Sequence, residues 1–317
     1  MIGLLAGLGV LAALTLPSAS GLAASRAVDV RAYGARGNGV HDDTAAIRRA
    51  MNAVAALGGG TVRLPQGIFR VTAVTVPDHV RLVGDGPGRS WIRGRVTARS
   101  DVTLRELRIG TRGVAFHLAA NAHRSTFDHC QFRGGGGTGD DECVVFLGGH
   151  PGSNVSDVSF IDCNIERNLG TENESFTNGY NNVGVCEKGD ISGGAHIEHL
   201  TFDGCHFGVS NGVATGCPRM DFEAYTNWNG TYTLHGWHDI TINGCVFEIA
   251  DYMNVDLPDA PLQNGERASG PATITNNIFK GGKYYDLCIE SAHDVLVEGN
   301  TFYRGGEHVI KFGVISL

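Results

Sequence analysis

One short phrase recurs from residue 102 onward, and it limits the possible folds more than any other feature of the 317-residue chain. The phrase reads apolar-x-apolar-x-x-(Leu/Cys/Asn)-x-apolar, which predicts a short strand, a one-residue corner and a second strand. Its copies are VTLRELRI (102–109), RSTFDHCQF (124–132), VSFIDCNI (158–165), LTFDGCHF (200–207), ITINGCVF (240–247), ATITNNIF (272–279) and VLVEGNTF (295–302). The corners lie 23 to 42 residues apart, so loops of different length separate similar units. This pattern predicts a solenoid of stacked rungs.

The residue at each corner predicts how the rungs pack. Strands about 4.8 Å apart in successive rungs place equivalent positions directly over each other. The aligned corner residues are Leu107, Cys130, Cys163, Cys205, Cys245, Asn277 and Asn300. We expect the cysteines to pack inward as free thiols, and the two asparagines to exchange side-chain hydrogen bonds. Disulfide pairing remains open for the other four cysteines, Cys143, Cys186, Cys217 and Cys288.

An amphipathic segment near the N-terminus predicts a cap on the solenoid. Residues 42–57, DDTAAIRRAMNAVAAL, carry an apolar stripe with helical spacing at Ala46, Ile47, Ala50, Met51 and Val54. Asp42 or Asp43 can cap the start of this helix, and Gly58 to Gly60 can end it. Because an uncovered rung exposes unpaired strand edges, we predict an N-terminal capping helix. Rungs then begin with strands at 61–64, 68–71 and 80–83.

The first 24 residues, MIGLLAGLGVLAALTLPSASGLAA, form an apolar run that ends in small residues. This composition is typical of a secretory signal peptide, with cleavage near Ser20 to Ala24. A short membrane anchor is the alternative, but the glycine content and the small-residue tail favour cleavage. We therefore expect a secreted protein in which residues 25–317 form the β-helix domain, with no membrane contact after processing.

The overall charge bears on the partners of the chain. The formal net charge is −8 and no run of Lys or Arg occurs, which argues against a nucleic-acid partner. The 46 glycines stand beside only nine prolines and no long polar tract, so the composition indicates tight turns rather than disorder.

Residues 28–71, VDVRAYGARGNGVHDDTAAIRRAMNAVAALGGGTVRLPQGIFRV, resemble the opening module of the pectate-lyase-like superfamily. The departures are small: Asn38 stands where an acid is usual, and Phe69 where a tyrosine is usual. The resemblance implies an all-β protein, a single-stranded right-handed parallel β-helix. The superfamily includes polysaccharide lyases, polygalacturonase-like hydrolases, epimerases and phage tailspikes, so the resemblance predicts architecture and leaves the reaction open.

A second strand family suggests where chemistry occurs. Aligning MDFEAY (220–225), MNVDLP (253–258), LCIESA (287–292) and VIKFGV (309–314) turns four apolar residues inward: Phe222, Val255, Ile289 and Ile310. The alignment then predicts one outward column of charged residues, Glu223, Asp256, Glu290 and Lys311. A neighbouring outward column contains Asp221, Asn254, Cys288 and Val309. Glu187 extends the acidic column from the rung before.

Stacked carboxylates can serve as an acid and a base. Adjacent rungs hold them about 5 Å apart and alternate rungs about 9.5 Å apart, which brackets the separations of about 5–5.5 and 6.5–9.5 Å in retaining and inverting glycosidases. Crowded carboxylates also raise one another's pKa. The predicted catalytic residues are Asp221, Glu223, Asp256 and Glu290. A solvated acidic surface is one alternative, and calcium bound by the carboxylates and Asn254 is another. No compact metal motif is present, so direct catalysis by the carboxyl groups is favoured and calcium is kept as the alternative cofactor.

Aromatic residues cluster in the loops beside this column, and aromatic faces stack on sugar rings. The predicted substrate-binding residues are Tyr225, Trp228, Tyr252, Tyr285, Asn254, Lys311 and Glu187. Histidines recur seven residues before three corners, at His123, His238 and His293, which favours hydrogen bonds to the backbone at the bend. His117 follows an inward-facing residue and is expected to face outward at the far end of the groove.

The predicted function is a secreted glycoside hydrolase acting on a polysaccharide. The basic residues of calcium pectate lyases and the Asn-Thr-Asp, Asp-Asp, Gly-His-Gly and Arg-Ile-Lys elements of polygalacturonases are missing. A polysaccharide lyase or uronate epimerase, possibly using calcium, is the first alternative, and a non-catalytic glycan-binding or tailspike-like protein is the second. The ending KFGVISL follows a strand directly. This predicts either that the sequence is truncated here or that the last rung is covered in a homo-oligomer such as a trimer.

Overall fold

The computed structural model describes residues 27–111, 114–134, 143–147, 154–167, 183–187, 196–209, 219–222, 237–248, 253–257, 270–281, 285–290, 292–303 and 308–313. The predicted signal peptide, residues 1–24, lies outside these ranges. The strands pair in parallel with the equivalent strand of the next rung. The predicted right-handed parallel β-helix with an N-terminal capping helix is confirmed. No helix in the described ranges is long and apolar enough to cross a lipid bilayer.

Each rung contributes strands to three parallel sheets. Sheet A precedes the corner and comprises Ala27–Asp29, Gly60–Leu64, Val80–Gly84, Thr103–Arg105, His123–Asp128, Asn154–Ile161, His196–Asp203, Trp237–Asn243, Ala272–Thr275 and Val295–Glu298. Sheet B follows the corner and comprises Asn38–Asp42, Gly67–Val76, Ser90–Ala98, Arg108–Gly110, Gln131–Gly134, Asn164–Arg167, His206–Val209, Val246–Phe247, Ile278–Phe279 and Thr301–Phe302. Sheet C comprises Phe116–Leu118, Cys143–Leu147, Val183–Glu187, Arg219–Phe222, Met253–Leu257, Tyr285–Glu290 and His308–Gly313. The end of Ser90–Ala98 also pairs with the first strand of sheet C.

The corner between sheets A and B is built by a left-handed residue directly before each predicted corner residue. These residues are Glu106, His129, Asp162, Gly204, Gly244, Asn276 and Gly299, with φ between 49° and 67°. Glycine, and to a lesser degree Asn and Asp, tolerate this backbone conformation. One left-handed residue turns the chain from the strand of sheet A into the strand of sheet B. The corner therefore needs no longer turn, and it repeats at the same place in every rung.

The predicted corner ladder is confirmed. Cys130, Cys163, Cys205 and Cys245 are buried and free of disulfides. The Asn277 side chain donates to Asn300 Oδ1 at 2.9 Å and to the Ile242 carbonyl at 2.9 Å, and it accepts from the Cys245 amide at 2.8 Å. The ladder thus changes from thiol packing to hydrogen bonding along the axis. Cys288 is also buried and forms no disulfide, which answers one of the open disulfide questions.

Aromatic stacking fills the core of the solenoid. Phe207, Phe247, Phe279 and Phe302 lie two residues after successive corners and form an aromatic column with centroid separations of 4.7–4.9 Å and interplanar angles of 4–11°. Burying each such side chain stabilises the fold by roughly 1.5–3 kcal/mol, and the stacking adds a smaller increment. The same two-residue offset in every copy of the repeat produces this column.

The capping helix spans Thr44–Ala55, slightly shorter than predicted, and its five predicted apolar residues are all buried. Asp43 stands at the N-cap position, but its side chain does not cap the helix. Its carboxylate instead accepts hydrogen bonds from the Arg36 and Gly37 amides at 2.8 and 3.0 Å. Asp42 Oδ1 accepts from the Thr44 amide at 3.0 Å. Asp43 thus anchors the segment that leads into the helix.

The predicted role of the recurring histidines holds for two of the three. His123 Nδ1 lies 2.9 Å from the Asn121 carbonyl oxygen, and His238 Nδ1 lies 2.8 Å from the Gly270 carbonyl oxygen. His293 Nδ1 instead lies 3.0 Å from the Asp294 carboxylate. Gly270 precedes a proline in the bend and Asp294 is left-handed, so the local backbone decides which acceptor the histidine meets.

Candidate active site

The register of sheet C differs from the one that the sequence predicted. Asp221 pairs with Asp256 as Cα partner, and Met220 pairs with Val255. Glu223 was expected to oppose Asp256, so this alignment was wrong by two residues. A shift of two keeps each residue on the same face but changes its neighbour. The two aspartates that had been placed in separate columns therefore share one.

One column of register positions runs the length of sheet C, with its first member at the end of the strand Ser90–Ala98. It contains Thr97, His117, Phe146, Cys186, Asp221, Asp256, Cys288 and Lys311. We call this set the outer column. His117 occupies the far end of it, as expected. Asp256 and Lys311 share this column, as the sequence predicted, whereas Glu290 does not belong to it. Cys186, not Glu187, occupies the outer column in its rung, because Glu187 pairs with Phe222.

Two further predicted residues have register positions away from the acidic pair. Glu290 pairs with Gly313 at the end of its strand, so it does not neighbour Lys311 as the sequence suggested. Tyr285 begins its strand, is half-buried, and lies between Met253 and His308 in register. The remaining predicted residues, Glu223, Tyr225, Trp228 and Tyr252, lie outside the described ranges. Their substrate or catalytic roles stay predictions.

A buried polar pair lies beside the outer column. Asn254 Nδ2 donates to Asp286 Oδ1 at 2.7 Å, and both residues have no exposed surface. Asn254 was predicted to bind substrate, and that role stays a prediction; in the structure its buried side chain donates a hydrogen bond that orients the Asp286 carboxyl group. Sequence reasoning missed Asp286 because the strand was read from Leu287. The signal was available: aligning MNVDL with YDLCI puts Asn254 opposite Asp286.

The arrangement brings three aspartates to neighbouring register positions of sheet C. Asp221 and Asp256 stand on adjacent rungs, about 4.8 Å apart along the axis. Asp286 stands on the next rung, beside Cys288 of the outer column. Two carboxyl groups at about this spacing can act as proton donor and nucleophile at one glycosidic bond. Among the residues with described side chains, no group of three His, Cys, Asp or Glu residues could hold a metal ion. Calcium therefore stays a prediction.

Sheet B carries a separate charged cluster that the sequence did not predict. Glu248 Oε1 lies 2.7 Å from Lys280 Nζ and 3.0 Å from His206 Nε2. Partial burial works against ionisation of Glu248, but hydrogen bonds from Lys280 and His206 outweigh it and lower the pKa of this carboxyl group. The three side chains neutralise one another, so this cluster is read as a structural one.

Known proteins share both sequence and architecture with this chain. A family model described as "Rhamnogalacturonase A/epimerase, pectate lyase-like" matches residues 27–254. Mannuronan C5-epimerase AlgE2 of Azotobacter vinelandii is 44% identical over 73 residues, covering 20% of this chain and 7% of that protein. Alginate lyase 7 of the same organism is 40% identical over 73 residues, covering 20% of this chain and 8% of that protein. Both relatives are thus matched over a small part of their length.

One solved structure aligns with most of this chain at a low sequence identity. Tailspike protein 3 of bacteriophage CBA120 aligns over 90% of this chain and 43% of its own, with 15% identity and a TM-score of 0.47. The solenoid of three parallel sheets and the match to the family model indicate the same fold for this chain.

Proposed function

The chain belongs to the rhamnogalacturonase A/epimerase, pectate lyase-like family, and from that premise we propose that it is an exported carbohydrate-active enzyme. Its substrate is a polysaccharide that lies along the outer column of sheet C. Its reaction is glycoside hydrolysis. The observation that carries the proposal is the pairing of Asp221 with Asp256 on adjacent rungs.

In this mechanism the two aspartates have different roles. One carboxyl group protonates the leaving oxygen of the glycosidic bond, and the other attacks the anomeric carbon. The rung spacing of about 4.8 Å favours the retaining pathway, whose carboxyl groups stand about 5–5.5 Å apart. The hydrogen bond from Asn254 orients the Asp286 carboxyl group one rung away from this pair.

A second reaction is favoured by the curated relatives. The relatives that match part of this chain are named as mannuronan C5-epimerases and an alginate lyase. We take both names to indicate enzymes that act on alginate. In that reaction a base removes the proton from C5 of a uronate. Lys311 and His117 occupy the outer column with the aspartates and supply candidate bases. A non-catalytic glycan-binding role remains the third outcome.

Mass spectrometry of the products separates these reactions. Purified protein is incubated with neutral polysaccharides, uronate polysaccharides and alginate, each with and without a calcium chelator. Hydrolysis adds one water per cleaved bond, whereas a lyase leaves an unsaturated end without added water. An epimerase changes neither mass nor chain length, but in deuterated water it incorporates deuterium at C5. Binding without any of these changes would contradict an enzymatic role.

A further inference from the structure

Six residues on the outer face of sheet B form a compact basic patch near the N-terminal end. In one column of register positions, Arg108 stands between Trp91 and Gln131; in the next column, Gly110 stands between Arg93 and Arg133. The intervening Ile92, Ile109 and Phe132 are buried in the core, so the six face away from it. We call this set the arginine patch. It lies in the first rungs, away from Asp221 and Asp256.

Two of the arginines in the patch have no acidic partner. The side chains of Arg108 and Arg133 make no hydrogen bond or ion pair with the residues that the structure describes, and the Nε atom of each is buried. The guanidinium of Arg108 lies over Trp91, with its Cζ 4.5 Å from the ring centroid. The Nε1 atom of Trp91 is also buried without a hydrogen-bond acceptor. Three donor groups are therefore sheltered together with nothing to accept from them.

The acid nearest in register does not neutralise the patch. Glu166 is the Cα partner of Arg133, but its Oε1 accepts a hydrogen bond from Gln131 Nε2 at 2.8 Å instead. No ion pair joins Glu166 to Arg108 or Arg133. Arg93 is engaged differently, because its Nη2 donates to the Gly39 carbonyl. The guanidinium groups of Arg108 and Arg133 therefore form one positively charged region that no ion pair neutralises.

Gly110 lets the side chains at the centre of the patch pack closely. A Cβ atom added at this position would lie 3.0 Å from the Arg133 carbonyl oxygen and 3.3 Å from Trp91 Nε1, so a side chain would be crowded there. Every other position of the patch carries a long side chain. The absence of a side chain at Gly110 therefore allows Trp91 and Arg133 to approach each other, which brings their sheltered donors together.

A solvated stack of arginine on tryptophan is the ordinary explanation of such a patch. Two features oppose it. Partial burial of a charged group is unfavourable unless an opposite charge or hydrogen-bond acceptors meet it, and here neither does. Burial, reinforced by the charge of Arg133, lowers the pKa of Arg108, and Glu166 offsets this only in part. An anion bound over the patch would relieve both effects.

We propose that the arginine patch binds the anionic group of an acidic glycan, a carboxylate or a sulfate. Arginine forms paired hydrogen bonds with such groups, and the edge of Trp91 adds a further N–H donor. The anion site follows from the unpaired donors and does not depend on catalysis. That its carrier is a glycan rests on the proposed function.

Binding measurements with matched oligosaccharides test the proposal. The probes are a uronate oligosaccharide, a sulfated neutral oligosaccharide, the unmodified neutral oligosaccharide and inorganic sulfate, each titrated by calorimetry against the full chain. The variants are Arg108→Gln, Arg133→Gln and the double variant. Arg81→Gln is the control, because Arg81 is an exposed arginine on sheet A. We expect each patch variant to weaken binding of the acidic probes on the order of tenfold or more, and Arg81→Gln to leave it unchanged.

The probes also identify the source of the anion and protect the test against misfolding. Stronger binding of the uronate oligosaccharide assigns a carboxylate, and stronger binding of the sulfated one assigns a sulfate. Sulfate should raise the Tm of the wild-type protein and of Arg81→Gln but not of the double variant. Equal affinity of wild type and double variant, or no preference for acidic over neutral probes, would overturn the proposal. Product formation from polysaccharides is measured separately. A negative result for the anion site therefore does not contradict the proposed reaction, and a negative result for the reaction does not contradict the anion site.

Discussion

Asn254 and Asp286 lie side by side with no exposed surface. Their 2.7 Å hydrogen bond pairs one buried donor with one buried acceptor, which lowers the cost of burying these polar groups. Asn254 Oδ1 is buried without a hydrogen-bond donor in the structure. The pair therefore fixes the Asp286 carboxylate beside the outer column. Asp43 is buried in the same way, with its carboxylate bonded to two backbone amides.

Replacing Asn254 tests this residue-scale assignment. Asn254→Ala removes a donor from Asp286 and leaves a gap, so the free energy of unfolding should fall by about 1–3 kcal/mol. Urea denaturation followed by circular dichroism measures the change. Asn164→Ala is the matched control, since Asn164 is an exposed asparagine within a strand, and it should cost less than about 0.5 kcal/mol. Similar losses in the two variants would contradict the positioning role of Asn254.

The His129 ring offers a prediction about pH. A hydrogen bond with Asp128, reinforced by the charges of Asp128 and Asp162, raises the pKa of His129 above its usual value. Because the folded pKa is raised, the stabilisation is complete below the unfolded pKa of about 6.5 and is lost as the pH rises through the folded value. NMR titration of the ring should show a fall in this pKa in Asp128→Asn. Asp162→Asn should cause a smaller fall, because its charge contributes less; the reverse order would contradict the assignment.

At the scale of elements, the repeated strand–corner–strand unit explains most of the fold. Its apolar positions become the phenylalanine column, and its corner becomes the ladder of Leu107, four cysteines and two asparagines. These features were predictable because each depends on a short pattern within one rung. The left-handed residue before each corner could also have been found, since Gly, Asn and Asp recur there. Glu106 and His129 obscure the pattern.

Replacing Asn277 tests the change from packing to hydrogen bonding within the ladder. Asn277→Ala removes hydrogen bonds to the Cys245 amide, the Ile242 carbonyl and Asn300. We expect the free energy of unfolding to fall by about 2–3 kcal/mol. Cys205→Ala, which removes a packed thiol from the same ladder, should cost about 1 kcal/mol. Equal losses would show that the asparagine acts by packing alone.

Thiol labelling tests the cysteine part of the ladder. Burial raises the pKa of Cys130 well above its usual range, and the reactive thiolate is accordingly scarce. In the native protein, iodoacetamide should label Cys130, Cys163, Cys205 and Cys245 slowly, and denaturant should make the labelling fast. Mass spectrometry of peptides reads each site separately. Rapid labelling of these four residues at neutral pH in the native protein would contradict a buried ladder.

At the scale of the whole molecule, the register between rungs was the part that sequence could not supply. Rungs differ in length by loops, and the pattern of sheet C repeats every two residues, so an alignment shifted by two satisfies it equally well. Asp221 was therefore assigned a separate column from Asp256, and Asp286 was passed over. The arginine patch was missed for a related reason. Its members are far apart in sequence, and only the stacking of Ser90–Ala98, Arg108–Gly110 and Gln131–Gly134 brings them together.

The central claim is that Asp221 and Asp256 act together on a polysaccharide. The most direct measurement is the rate of product formation by Asp256→Asn and Asp221→Asn on the best substrate found for the wild type. Loss of either group should lower kcat about 10²–10⁴-fold, while glycan binding and Tm stay near their wild-type values. Glu298→Gln, an exposed acid on sheet A, should retain full activity. Wild-type rates in both aspartate variants would contradict the account.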